Sequence, residues 1–157
     1  MTTIYDTTTA VTTALTNTYL WNQIKAITGV TTFTAANHIA IVTRDELLDI
    51  LINEPISGEY VNFFVKLPQI RSGEMDRYPC HDHVLDYEVV ALLQMSDTAQ
   101  QNIQKIAEYT INAIEAMALI GYAVRLDDCD WYRKREGGNF ICALIRFYID
   151  QRHKITS

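Results

Sequence analysis

The run Cys80-His81-Asp82-His83 sets a thiol, two imidazoles and a carboxylate on four consecutive residues, all of them metal-ligating types. Zinc takes about four such ligands in a tetrahedron. In an extended segment His81 and His83 fall on the same side, because side chains alternate along a strand, so a weak two-histidine site is geometrically available. A complete site needs another ligand from Cys129, Cys142 or a distant carboxylate, and no second pair at short spacing supplies one. Cys80 beside a histidine also offers a nucleophile and its base, but no other part of that apparatus can be named. The expectation is a polar segment leading into a strand, with no metal, no cofactor and no catalytic residue.

Asp127, Asp128, Asp130 and Glu136 are oxygen donors of the kind that hold Mg²⁺ or Ca²⁺. They lack the calcium-loop pattern of a central Gly and a terminal Glu, so they read as a solvated acidic turn. Asp86 and Glu88 share a strand face, yet nothing marks a pocket that would drive their pKa values apart for acid–base work. Neither a Walker-type phosphate loop nor a Gly-x-Ser-x-Gly elbow occurs. The segment Trp131-Tyr132-Arg133-Lys134-Arg135 is different in kind. Aromatics and Arg are enriched at protein interfaces, and here they fall on an expected hairpin reach, so these five residues are the candidate oligomer or partner contact.

A formal charge of −6 and a pI near 5.1 argue against a protein that grips nucleic-acid phosphates. Even the basic triplet Arg133-Lys134-Arg135 follows three aspartates within a few residues and reads as a mixed-sign loop. Hydrophobic residues make up 48% and charged ones 20%, below the usual charged share of about 25%, so charge-driven disorder is excluded for most of the chain. A chain of 157 residues is expected to form one domain and to remove roughly 70% of its unfolded surface from water. The three cysteines are odd in number and widely spaced, which points to synthesis in a reducing cytosol. No secretory leader and no apolar run of about 18 residues is legible, so a soluble protein without a membrane span is expected.

The elements that must position these groups follow from periodicity. Val11, Leu15, Leu20, Ile24 and Ile27 predict a helix over 9–28 closed by Gly29, although the threonine-rich residues before Ala14 also suit a flexible arm that orders against a neighbour. Thr43 and Glu46 have capping-box spacing ahead of a short helix ending near Asn53. Residues 60–67 read as a strand stopped by Pro68, and Gln69 to Asp82 as a long loop. Val84 to Gln94 alternates as a strand with Leu85, Tyr87, Val89, Ala91 and Leu93 on its core face. Asp97 to Ile120 reads as a long amphipathic helix capped by Ser96 or Asp97 and stopped by Gly121. Tyr122 to Leu126 and Asn139 to Asp150 read as closing strands around a reach holding Trp131 and Gly137-Gly138. The last strand is apolar on both faces and must be central in its sheet or covered by another subunit. Strand pairs grouped around one long helix give an α+β fold, with an antiparallel or mixed sheet against that helix plus an N-terminal and a short helix.

Taken together, DYEVVALLQMSDTAQQNIQKIAEYTINAIEAM, GYAVRL, the acidic turn DDCDW and GGNFICALIRFYID resemble the tail-terminator and head-to-tail joining (neck) proteins of tailed bacteriophages. The resemblance spans about residues 85–150 as a pattern of elements, without a diagnostic motif. It implies a non-enzymatic virion protein made in the host cytoplasm, forming a homo-oligomeric ring, hexameric by analogy. Such a ring caps the tail tube, meets the head connector and lets DNA pass without specific binding. Two other classes stand beside it: a small metal-dependent enzyme using Cys80, His81 and His83, and a phage regulatory module that binds a host factor.

Overall fold

The computed structural model describes residues 3–29, 35–53, 61–72, 80–117, 123–134 and 138–154. Within them the chain is a mixed α+β structure of four α-helices and a five-stranded mixed sheet.

The threonine-rich start is helical. Helix α1 spans Ile4–Ala14, opened by a capping box in which Asp6 N–H donates to Thr3 Oγ1 at 3.1 Å and Thr3 N–H to Asp6 Oδ2 at 2.9 Å. Its threonines satisfy themselves by donating to carbonyls one turn back, as Thr8 does to Ile4 at 3.1 Å and Thr9 to Tyr5 at 3.0 Å. The single helix expected over 9–28 is in fact two. Asn17 ends the first path by capping α2 (Thr18–Thr28), its side chain accepting Leu20 N–H at 3.1 Å. Trp21 Nε1 donates to the Leu15 carbonyl at 2.6 Å and fixes the corner between the two helices. Gly29 closes α2 at φ 73°, a left-handed conformation that glycine adopts without a Cβ penalty.

After a 3-10 turn (Ala35–His38) come strand β1 (Ile39–Val42) and helix α3 (Arg44–Asn53). The expected box is present: Thr43 N–H donates to Glu46 Oε1 at 3.1 Å, and Glu46 N–H to Thr43 Oγ1 at 3.3 Å. Strand β2 (Asn62–Ser72) runs through Pro68 instead of stopping there. Its register against the next strand shifts between Lys66 and Gln69, so the proline sits in a bulge where its missing N–H breaks no ladder bond. Both ends of the expected Gln69–Asp82 loop are therefore sheet: β2 continues to Ser72 and β3 (Cys80–Gln94) begins before Val84, with 73–79 outside the described residues.

Helix α4 spans Ala99–Glu115. Neither Ser96 nor Asp97 is its N-cap. Thr98 holds that position without a side-chain cap bond, and its hydroxyl accepts from Asn102 Nδ2 at 3.0 Å instead. The expected stop at Gly121 lies outside the described residues. Strand β4 (Ala123–Arg133) is much longer than the expected Tyr122–Leu126, and it takes in Trp131, Tyr132 and Arg133. Strand β5 spans Phe140–Lys154.

The sheet order is β1-β2-β3-β5-β4, with β1 parallel to β2 and the other neighbours antiparallel. The chain's last strand is thus interior, between β3 and β4. That explains its two apolar faces within one chain, without another subunit. On one face Ile141, Ala143, Ile145, Phe147 and Ile149 join Leu85, Tyr87 and Val89 under α1, α2 and α4. Tyr87 stacks on Phe147 with centroids 5.5 Å apart, and Trp21 meets Phe63 edge-on at 5.7 Å. On the other face α3 covers only one end of the sheet, where Leu47, Phe64, Val90, Leu92, Phe140 and Cys142 form a second cluster.

Candidate functional site

Beyond α3, the second sheet face carries an ordered row of charge. Register sets Lys66 opposite Glu88, Glu88 opposite Arg146 and Arg146 opposite Asp128, so signs alternate across β2, β3, β5 and β4. Arg146 Nε donates to Glu88 Oε2 at 2.9 Å and Nη1 to Asp128 Oδ1 at 2.8 Å. The Glu88 side chain is only 15% exposed, so this pair is more sheltered than an ordinary surface bridge. The bond to Asp128, then that to Glu88, raise the Arg146 pKa against the opposing effect of burial. One row further out, Arg71 holds Asp86 through Nε at 2.8 Å and Nη2 at 3.3 Å, and its guanidinium lies 6.0 Å above the Tyr148 ring. Asp86 and Glu88, the carboxylate pair seen in the sequence, are each bound to an arginine.

Within the interface segment, Trp131 and Tyr132 lie on different faces of β4. By the pleat, Trp131 lies opposite Ala143 on the helix-covered face, and Tyr132 lies opposite Cys142 on the α3 face. Trp131 is 46% exposed, near the edge, and shares its face with exposed Leu126 and Arg133. Tyr132 is half-buried against α3, its hydroxyl donating to the Leu51 carbonyl at 3.4 Å. Lys134 is exposed just past the strand, and Arg135 is outside the described residues.

The acidic turn is likewise pulled apart. Asp127 occupies a register shift of β4, Asp128 faces Arg146, and Asp130 accepts the N–H of Trp131 at 2.8 Å. Glu136 is outside the described residues. The Cys129 thiol is raised by burial and by Asp128 and Asp130, the reverse of what a nucleophile needs. Cys80, His81 and Asp82 lie in β3, opposite Lys154, His153 and Arg152 of β5. Among the described residues, no group of three or more His, Cys, Asp or Glu side chains gathers in a way that could hold a metal ion.

Two surface grooves accompany these features. One of about 450 Å³ runs between α1 and α4, lined by Asp6, Thr9, Thr13, Asn17, Ala113 and Met117. A second of about 380 Å³ lies beside β1, between Thr12, Thr13 and Thr16 and the side chains of Ile39 and Ile41. Asp6, the titratable group of the first, is already engaged by Thr3, which holds its carboxyl below the usual range. Neither groove assembles a nucleophile with a base.

Sequence reasoning passed over Arg71 and Arg146. A signal was present for the second: it is the lone charge in the apolar run from Phe140 to Ile149. Among the described residues no helix is long and apolar enough to cross a membrane. No family model matches the chain, and no curated protein matches it either.

Proposed function

We propose that the chain is a non-catalytic structural subunit of a tailed-phage virion, forming a homo-oligomeric ring at the tail end or neck. The observation that carries this reading is the β4 edge. Among the described residues this eleven-residue strand is hydrogen-bonded on one side only, and it presents exposed Leu126 and Trp131 on a single face. An unpaired edge of that length is a template for another chain, and Asp127, Asp128 and Asp130 along it discourage indiscriminate pairing. A neighbouring subunit that covers Trp131 and answers the aspartates with positive charge satisfies both features. The β4 edge replaces β5 as the contact, since β5 is already enclosed by its own chain.

The resemblance to tail-terminator and head-to-tail joining proteins supports the same reading. It supplies the ring, six subunits by analogy, and the tail-tube and connector neighbours. An acidic lumen lets DNA slide without specific binding. Light scattering and negative-stain microscopy of the purified protein are the test. A hollow ring supports the proposal, and a species that stays monomeric at tens of micromolar rejects it.

A further inference from the structure

Helix α3 covers one end of the second sheet face and turns its own outer side away from the chain. Leu47, Ile50 and Leu51 point inward to the cluster around Phe64 and Cys142. Helical spacing then puts Asp45, Asp49 and Ile52 on the opposite side, with Leu48 on the flank. All four are exposed, Leu48 by 46% and Ile52 by 58%. Arg44 and Glu46 balance each other in the first turn, and Glu46 is held in its cap. The outer side of α3 is therefore acidic, with an apolar pair spaced i, i+4.

The part of the sheet that α3 leaves open carries the complementary charge. Arg146 is engaged by Glu88 and Asp128, and Arg71 by Asp86 with Asp150 nearby. Lys66 on β2 and Arg125 on β4 lie on the same face and, among the described residues, make no hydrogen bond or ion pair. Three strand spacings of about 4.8 Å separate β2 from β4 by about 14 Å. A ten-residue helix is about 15 Å long, and α3 already reaches from Phe64 on β2 to Tyr132 on β4 within its own chain. We propose that this face is a two-fold contact between two copies of the chain, in which α3 of each copy packs across the open part of its partner's sheet. Asp45 and Asp49 then meet Lys66 and Arg125, and Leu48 and Ile52 are covered by Tyr148 and the aliphatic stems of the basic residues. A two-fold axis lying across the strands exchanges the covered and open parts, so one contact satisfies both copies. Trp131 and Leu126 lie on the other sheet face, so the inference is independent of the ring reading.

The test is sedimentation equilibrium of the full-length protein carrying Trp131→Glu, which removes the ring contact and isolates this one. A monomer–dimer equilibrium with a Kd of about 1–100 µM is expected, and it should weaken as salt screens the charge pairs. Asp45→Lys/Asp49→Lys should weaken the dimer about ten-fold or more, and so should Lys66→Asp/Arg125→Asp. Combining all four substitutions should restore it to within about three-fold of the parent, an outcome that damage to the fold cannot produce. Ile52→Glu, at an exposed site, should weaken the dimer about ten-fold or more without lowering the melting temperature. A Trp131→Glu protein that stays monomeric at about 200 µM overturns the proposal, and the ring reading then stands or falls on the wild type alone. A dimer indifferent to either charge reversal overturns it, as does a folded four-fold variant that fails to regain association. If the four-fold variant does not fold, a dimer unchanged by Ile52→Glu is enough to reject it.

Discussion

The Tyr87 hydroxyl lies 2.8 Å from the Thr8 hydroxyl, joining the first helix to the middle of the central strand in the main core. Thr8 donates to the Ile4 carbonyl, which leaves Tyr87 as the donor in this pair.

Burial pushes the Tyr87 pKa up to about 12, against the opposing effect of its hydrogen bond with Thr8. The folded-state value is above the unfolded one near 10, so this contribution is complete below about pH 10 and lost as pH rises toward 12. A shift of this size corresponds to on the order of 2 kcal/mol. Tyr87→Phe should lower stability at pH 7 by about 0.5–1.5 kcal/mol, the worth of one hydrogen bond. It should also shrink the loss of stability between pH 10 and 12. Urea melts of both proteins at pH 7, 10 and 11.5 check this, and identical alkaline slopes would count against it.

Arg146 joins two carboxylates of different exposure, so removing each partner should have a different cost. Arg146→Ala leaves the sheltered Glu88 without its counter-charge and should cost about 1–3 kcal/mol. Asp128→Asn removes a more exposed partner and should cost less than about 1 kcal/mol. Chemical denaturation in low and high salt separates the two, with the Asp128 effect the more strongly screened.

Two glycines should fail for different reasons. A Cβ at Gly138 would stand 2.6 Å from the backbone oxygen of Lys134, so Gly138→Ala must displace the β4–β5 connection and should cost about 1–3 kcal/mol. A Cβ at Gly29 meets nothing within 4 Å, and the cost of Gly29→Ala, about 1–2 kcal/mol, is that of the left-handed backbone alone. Gly29→Asn should recover part of this loss in thermal melts, because Asn tolerates that conformation, whereas Gly138→Asn should recover nothing.

Trp131 and Tyr132 are adjacent but should respond oppositely. Trp131→Glu should change monomer stability by no more than about 0.5 kcal/mol, as expected of an exposed side chain. It should weaken self-association at least ten-fold. Tyr132→Ala removes packing under α3 and should lower stability by about 2–4 kcal/mol. Sedimentation velocity with parallel melts decides, and self-association indifferent to Trp131 would remove β4 as the contact.

Much of the fold was legible from local pattern. The Thr43–Glu46 box, the Gly29 stop and the alternation of Leu85, Tyr87, Val89, Ala91 and Leu93 each act over a few residues, and the structure has them as read. The misreadings share a cause. Pro68 breaks a ladder only if its N–H is needed, and a bulge in β2 removes that need. The split at Asn17 depended on Trp21 reaching back to Leu15, and the extent of β4 depended on β5 lying alongside it through Arg133. Trp131 and Tyr132 looked like one patch because the segment was taken for a loop, where neighbours can point together.

By itself the sequence determined the capped start of α3, the Gly29 stop and the apolar faces of β3 and β5, because propensity, capping and periodicity act within one or two turns of chain. Only the tertiary structure decided that the last strand lies inside the sheet, that Arg146 meets Glu88 and Asp128, and that His81 stands opposite His153. Those outcomes are matters of strand order and register. They are settled by packing between segments dozens of residues apart, and that packing leaves no periodic trace along the chain.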